Sequence, residues 1–194
     1  MKTLCLTYDD GPNDPYTLDL LEVLAKHNVV ATFFMIGNFV LQRPDIARMV
    51  ASEGHLIANH TMSHPQLPSL SADDVLSEIT GCSRVLDEVV GQHSNLFRAP
   101  FVLTNSAIEE TVTKLGLQSV MWKAAGSDWM LKGDDFIVEK VDRELDGESG
   151  IILLHDGWHQ QMGGDRSATV DATDRMIDLY KYEGFEFVTP MEMV

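Results

Sequence analysis

Three short segments of the sequence concentrate side chains that bind cations and move protons. Asp9-Asp10-Gly11-Pro12 closes the first apolar run, and His60-Thr61-Met62-Ser63-His64 carries two imidazoles four positions apart. Leu153-Leu154-His155-Asp156 ends a later apolar run. Two histidines and one carboxylate leave coordination positions free for water and substrate, as a catalytic divalent cation requires. The N/O donor set suits zinc and also other first-row divalent metals. Two adjacent carboxylates that converge repel each other, so the pair implies divided roles, one on the cation and one free as a base. The chemistry indicated is metal-assisted hydrolysis. Taken singly, each segment has a plainer reading: Asp-Gly-Pro is ordinary turn chemistry, and an isolated histidine pair suits a surface turn.

The elements that must position these groups follow from the patterning. Apolar runs alternate with amphipathic stretches along the whole chain, the rhythm of repeated β-α units around a parallel sheet. Predicted strands are Leu4–Tyr8, Val30–Ile36, Leu56–Ala58, Leu96–Arg98, Ser119–Trp122, Ile151–His155 and Phe185–Val188. Helical patterns fit Tyr16–His27, Arg43–Ser52, Asp135–Leu145 and Val170–Tyr182. Two more helices are announced by caps: Ser71 with Asp74 before the Val75, Ile79, Cys82, Leu86 stripe, and Ser106 with Glu109 before Val112 and Leu115. No linker, repeat or low-complexity segment divides the chain, so residues 1–194 are expected to form one α/β domain. About seven parallel strands fit a barrel short of the usual eight, or an open sheet. All three polar segments then lie just past strand ends, where α/β folds keep their active sites. Asp9 and Asp10 are expected to converge because the backbone turns at the strand end, and His60 and His64 because they share one side of a helical turn.

Composition narrows the partners. Thirty acidic residues against 14 basic give a net charge of −16, which repels nucleic acid and disfavours anionic membranes and polyanionic glycans. Neutral or cationic substrates fit better. No stretch approaches the roughly 20 apolar residues of a membrane-spanning helix. Met1-Lys2 lead straight into a strand-like run, with no export signal. A cytoplasmic location is expected if Met1 is the native start, and an extracellular or cell-envelope one if a signal has been removed. Cys5 and Cys82 are expected to be buried thiols, with no disulfide and no thiolate metal site.

With these motifs in place the chain resembles the polysaccharide deacetylase family, the NodB-homology enzymes of carbohydrate esterase family 4. The resemblance runs from Leu4 to Val188 and rests on five motifs in the family's order. They are Thr7-Tyr8-Asp9-Asp10-Gly11-Pro12, Asn59-His60-Thr61-Met62-Ser63-His64, Arg98-Ala99-Pro100-Phe101, Ser127-Asp128-Trp129 and Leu153-Leu154-His155. It implies a distorted (β/α) barrel and a hydrolase of carbon-nitrogen bonds other than peptide bonds, removing acetyl groups from N-acetylglucosamine-containing glycans. By the resemblance Asp10, His60 and His64 would hold a divalent metal, zinc first, with cobalt, nickel or manganese as alternatives. Asp9 would be the general base, paired with and aimed by Arg98. The backbone N–H of Phe101 would stabilise the oxyanion. His155 would be the general acid, oriented by Asp128, and Trp129 and Leu153 would wall the pocket for the acetyl methyl group.

Four positions depart from the family's pattern. Tyr8 stands where Phe is usual, Phe101 replaces Tyr, Val102 follows where Gly is common, and Ala125 occupies a position often acidic. The last two bear on loop shape rather than on the chemistry. Trp158, just beyond His155, could stack on a sugar ring or pack on its own loop. Asp165 and Arg166 read as an ion-paired turn, and His27, His55 and His93 as structural. The expected substrate is chitin or its oligosaccharides, with peptidoglycan N-deacetylation and acetylxylan hydrolysis as alternatives. A non-catalytic glycan-binding domain is the alternative from another class. A monomer with no nucleic-acid partner and no membrane insertion is expected.

Overall fold

A computed structural model describes residues 2–193. Eight strands, all in parallel pairings, form one curled sheet: β1 (Lys2–Gly11), β2 (Thr32–Met35), β3 (Leu56–Asn59), β4 (Leu96–Phe97), β5 (Gln118–Ser119), β6 (Ala124–Ala125), β7 (Gly150–His155) and β8 (Phe185–Phe187). Their order is β5-β4-β3-β2-β1-β7-β6, with β8 joined to the start of β1. Leu4 pairs with both Gly150 and Phe187, so β8 sits on the β2 side of β1, below the point where β2 begins. The long central strand therefore carries β8 and β2 in succession along one edge. Between β5 and β6 no pairing closes the circle among the described residues.

The seven predicted strands are present, some shortened, and one is corrected. Ser119–Trp122 was expected as a single strand. Pairing instead ends at Ser119 and resumes at Ala124, leaving Met121 exposed in the gap. The apolar residues there looked like a strand, but the chain is crossing from one sheet edge to the other.

The helices are α1 (Tyr16–His27), α2 (Gly37–Gln42), α3 (Pro44–Ser52), α4 (Ala72–Val90), α5 (Ser106–Lys114), α6 (Asp134–Leu145) and α7 (Ser167–Tyr182). Ser71 caps α4 as predicted, its side chain accepting from Asp74 N–H. The α5 cap is displaced by one residue: Asn105, not Ser106, accepts from the N–H groups of Ala107 and Ile108. An Asx side chain reaches two free amides at once, and it wins the position. The apolar stripes of α1, α4, α6 and α7 (Leu20, Leu24, Leu86, Val141, Met176 among others) cover the outer face of the sheet around Leu4, Leu6, Phe33 and Leu154.

Cys5 and Cys82 are buried free thiols, and Tyr8 stacks on Phe33 at 5.1 Å with its hydroxyl 3.1 Å from Thr173. His55 is structural: its Nδ1 accepts from Ala31 N–H, and burial pulls its pKa down to about 4. No helix among the described residues is long and apolar enough to cross a membrane.

Candidate active site

The carboxyl ends of β1, β3, β4 and β7 meet around a cavity of about 450 Å³. Register places Asp9 of β1 directly beside His155 of β7. Asp10 then breaks the alternation: its φ is 73°, and the pairing with β2 shifts between Asp9 and Gly11. This bulge turns the second carboxylate toward the same space as the first, and both are buried. The expected convergence is present, but its cause is a bulge inside the strand, which continues to Gly11, rather than a turn at its end.

His60 and His64 also converge, and not on a helical turn as predicted: residues 60–66 hold no helix. Thr61 and His64 both have left-handed φ, at 69° and 60°. Asn59 organises the loop, accepting from Thr61 N–H through Oδ1 while its amide donates to Ile79 O and Ser83 Oγ, all at 2.8 Å. Thr61 Oγ1 in turn accepts from His64 N–H. Held this way, the two Nε2 atoms lie 3.4 Å (His60) and 3.2 Å (His64) from Asp10 Oδ1. His60 Nδ1 is 2.8 Å from Arg98 O, the tautomer-fixing contact of a ligating histidine, which leaves Nε2 with its lone pair facing Asp10. Asp10 Oδ1 is buried with no hydrogen-bond partner, and the three ligand atoms lie within 4.8 Å of one another. An orphaned carboxylate oxygen faced by two imidazole nitrogens fits a divalent cation in chemistry and spacing.

Burial opposes charge on Asp10, yet His159, His60 and His64 outweigh it and hold the carboxyl well below the usual range. The carboxylate is therefore ready to ligate.

Next to the cluster Arg98, buried, donates from Nη1 to Asp9 Oδ1 at 2.7 Å and to Thr7 Oγ1 at 3.0 Å, and from Nε to Val120 O at 3.2 Å. Its guanidinium lies 4.1 Å from the Phe34 ring centroid and 5.4 Å from that of Trp122. Asp128 takes His155 at two points: the backbone N–H donates to Oδ2 at 2.7 Å, and ring Nδ1 lies 2.8 Å from Oδ1. Thr169 donates a third bond to Asp128 at 2.9 Å. Burial works against a charged imidazole at His155, but Asp128 outweighs it and pushes the pKa up to about 9. A histidine charged at neutral pH beside an exposed cavity can deliver a proton.

Phe101, Trp129 and Trp158 form the partly exposed rim, and Leu153 lies buried beneath them. Trp129 meets His155 edge-on at 5.3 Å. Phe101 and Val102 both sit at left-handed φ, 55° and 59°. For a β-branched residue such as Val102 this is a real outlier. With Asp10, His64 and Phe101, it gives the cleft lining four left-handed non-glycine residues, strain of the kind that functional sites store.

Arg166 corrects the ion-paired turn: Asp165 caps Ser167 instead, and Arg166 is buried, donating from Nε to Gly157 O at 2.7 Å. Arg166, Thr169, Asn59 and His159 are the supporting residues that sequence reasoning did not assign. Only Asn59 stood inside a motif.

The polysaccharide deacetylase family matches residues 1–120. A chitooligosaccharide deacetylase of Bradyrhizobium sp. (strain ANU 289) is 39% identical over 175 residues, spanning 90% of this chain and 78% of that protein. The crystal structure of the Bc1960 peptidoglycan N-acetylglucosamine deacetylase superposes with a TM-score of 0.90 at 32% identity, covering 97% of this chain and 86% of that one. BA3943, described as a carbohydrate esterase family 4 pseudoenzyme from Bacillus anthracis, superposes at 0.89 with 25% identity, over 98% of this chain and 64% of that one.

Proposed function

The chain belongs to the polysaccharide deacetylase family, and from that membership and its cleft we propose a metal-dependent deacetylase of N-acetylglucosamine-containing glycans, residues 1–194 acting as one catalytic domain and as a monomer. The observation that carries the reading is the pairing of Asp9 with Arg98 and of His155 with Asp128, in adjacent register, over the Asp10, His60 and His64 cluster.

A divalent cation held by Asp10, His60 and His64 would polarise the acetyl carbonyl and acidify water at the site. Zinc is the proposed metal, and cobalt, nickel or manganese would suit the same donors. Asp9 takes the proton from the attacking water, held in place by Arg98. The Phe101 N–H supports the oxyanion as the carbonyl carbon becomes tetrahedral. His155, fixed by Asp128, protonates the amide nitrogen as the C–N bond breaks, giving acetate and a free amine. Leu153 and Trp129 enclose the methyl group, and the Trp158 indole offers a face to a sugar ring.

Chitooligosaccharides are the proposed substrate ahead of peptidoglycan and acetylxylan. A surface of net charge −16 receives a neutral glycan more readily than an anionic wall. The pseudoenzyme relative makes a binding-only role the second reading, since the fold alone does not require turnover. Against it, Asp9, Asp10, His60, His64, Arg98, Asp128 and His155 are all in place.

The test is acetate release from chitopentaose by metal-stripped protein before and after zinc or cobalt is restored. Release should return with metal. Asp9→Asn should keep the metal and lose turnover, whereas His60→Ala should lose both. No release despite stoichiometric metal would sink the chitooligosaccharide assignment, and equal metal content in the two variants would sink the ligand assignment.

A further inference from the structure

The two histidines beside Asp10 are held in different ways. His60 is fixed by a hydrogen bond from Nδ1 to Arg98 O. His64 has no such anchor: its Nδ1 is buried without a partner, and its backbone is left-handed. The orientation of that ring therefore depends on packing. His159 stacks on it with centroids 4.5 Å apart and planes 19° apart, and Phe101 meets it edge-on at 4.6 Å. The same His159 reaches Asp10, its backbone N–H donating to Oδ2 at 3.3 Å. That bond occupies the second carboxylate oxygen and leaves Oδ1 to face the two Nε2 atoms.

The segment bearing His159 is itself tied down. Asp156 and Gly157 donate their N–H groups to Asp9 O at 3.2 and 3.3 Å. Arg166 holds Gly157 O, and Asn13 donates to Asp156 O and Gly164 O while accepting from Gly163 N–H. A loop closed on itself this way and pinned to β1 can hold a side chain in one place.

Resting on the metal reading of the site, we propose that His159 is a positioning residue for the cation: its ring, stacked on His64, holds that otherwise unanchored imidazole in place, and its backbone N–H fixes Asp10. Outer-shell hydrogen-bond partners are typically worth 10- to 100-fold in metal affinity, and the stacked ring, standing in for such a partner at His64, is assigned the same range. A substitution leaves the amide and removes the ring, which stacks on His64 and also brings its Nδ1 to 3.7 Å from Asp10 Oδ2; His159→Phe keeps the first contact and loses the second.

The test is zinc affinity measured by competition with a chromophoric chelator, on the full chain and on His159→Ala and His159→Phe. His159→Ala should bind zinc roughly 10- to 100-fold more weakly, with the melting temperature of the metal-free protein unchanged. His159→Phe restores a flat ring against His64 and should recover most of the lost affinity. Wild-type affinity in His159→Ala would overturn the proposal, as would a His159→Phe variant as weak as His159→Ala. Failure of the unsubstituted protein to bind zinc would overturn the metal reading beneath it, a result distinct from either.

Discussion

Each reactive side chain in the cleft is paired with a buried group of opposite charge or a fixed donor: Asp9 with Arg98, His155 with Asp128, Asp10 with three imidazoles. The His155 pair makes a pH prediction with a defined sign. As a proton donor His155 must be charged, so turnover persists below its pKa near 9 and falls as pH rises through it. Burial pulls that pKa down, and Asp128 is the largest influence raising it. In Asp128→Asn the largest raising influence is gone, leaving burial opposed only by the more distant charges of Asp10 and Asp9. The alkaline limb of kcat/KM should move at least about one unit toward neutral pH. kcat should fall within the roughly 10²- to 10⁴-fold range that a general acid contributes. A limb left in place in the pH–rate profile would remove His155 from the acid role.

At the scale of elements, the site depends on how closely the loop after β7 lies on the β1 bulge. Gly157 makes that approach possible, because a Cβ there would come within 2.1 Å of Asp10 O, a backbone atom with little room to yield. Gly157→Ala must therefore lift the loop or distort the bulge, at a cost of about 1–3 kcal/mol. The checks are the urea midpoint and zinc affinity, both expected to fall. An unchanged midpoint would mean the bulge is softer than its packing implies. The bulge was not legible in the sequence: two adjacent carboxylates at a strand end do not reveal which residue takes the left-handed conformation. The His60–His64 spacing misled in the same way, since four residues fit one turn of helix and also fit the Asn59-anchored loop the chain adopts.

The charge of the molecule acts at the largest scale. With 30 acidic and 14 basic residues, long-range repulsion should slow the approach of anionic glycans and leave neutral ones unaffected. Salt screens that repulsion, with a Debye length near 10 Å at 0.1 M. On chitopentaose kcat/KM should be flat between low and moderate ionic strength, while on an anionic wall glycan it should rise. A fall with salt on the anionic substrate would mean that local positive groups such as Arg166 outweigh the net charge.

The sequence alone determined the parallel α/β architecture, because the period of its apolar residues encodes which faces are buried. It also determined the candidate chemistry, because the motifs lie at strand ends and carry groups with few other uses together. Helix α4 was legible down to its Ser71 cap, since a cap is local. Tertiary structure decided the rest. Arg166 looked like half of a turn and is instead a buried support for Gly157, and His159, which no motif singled out, lies against His64 and Asp10. The His159 contacts join residues far apart in the chain, while Arg166 reaches back nine residues across a folded loop, and the geometry of both follows from strand register, one bulge and left-handed residues. No local pattern carries that information, because it arises only when the sheet has curled and brought the loops together.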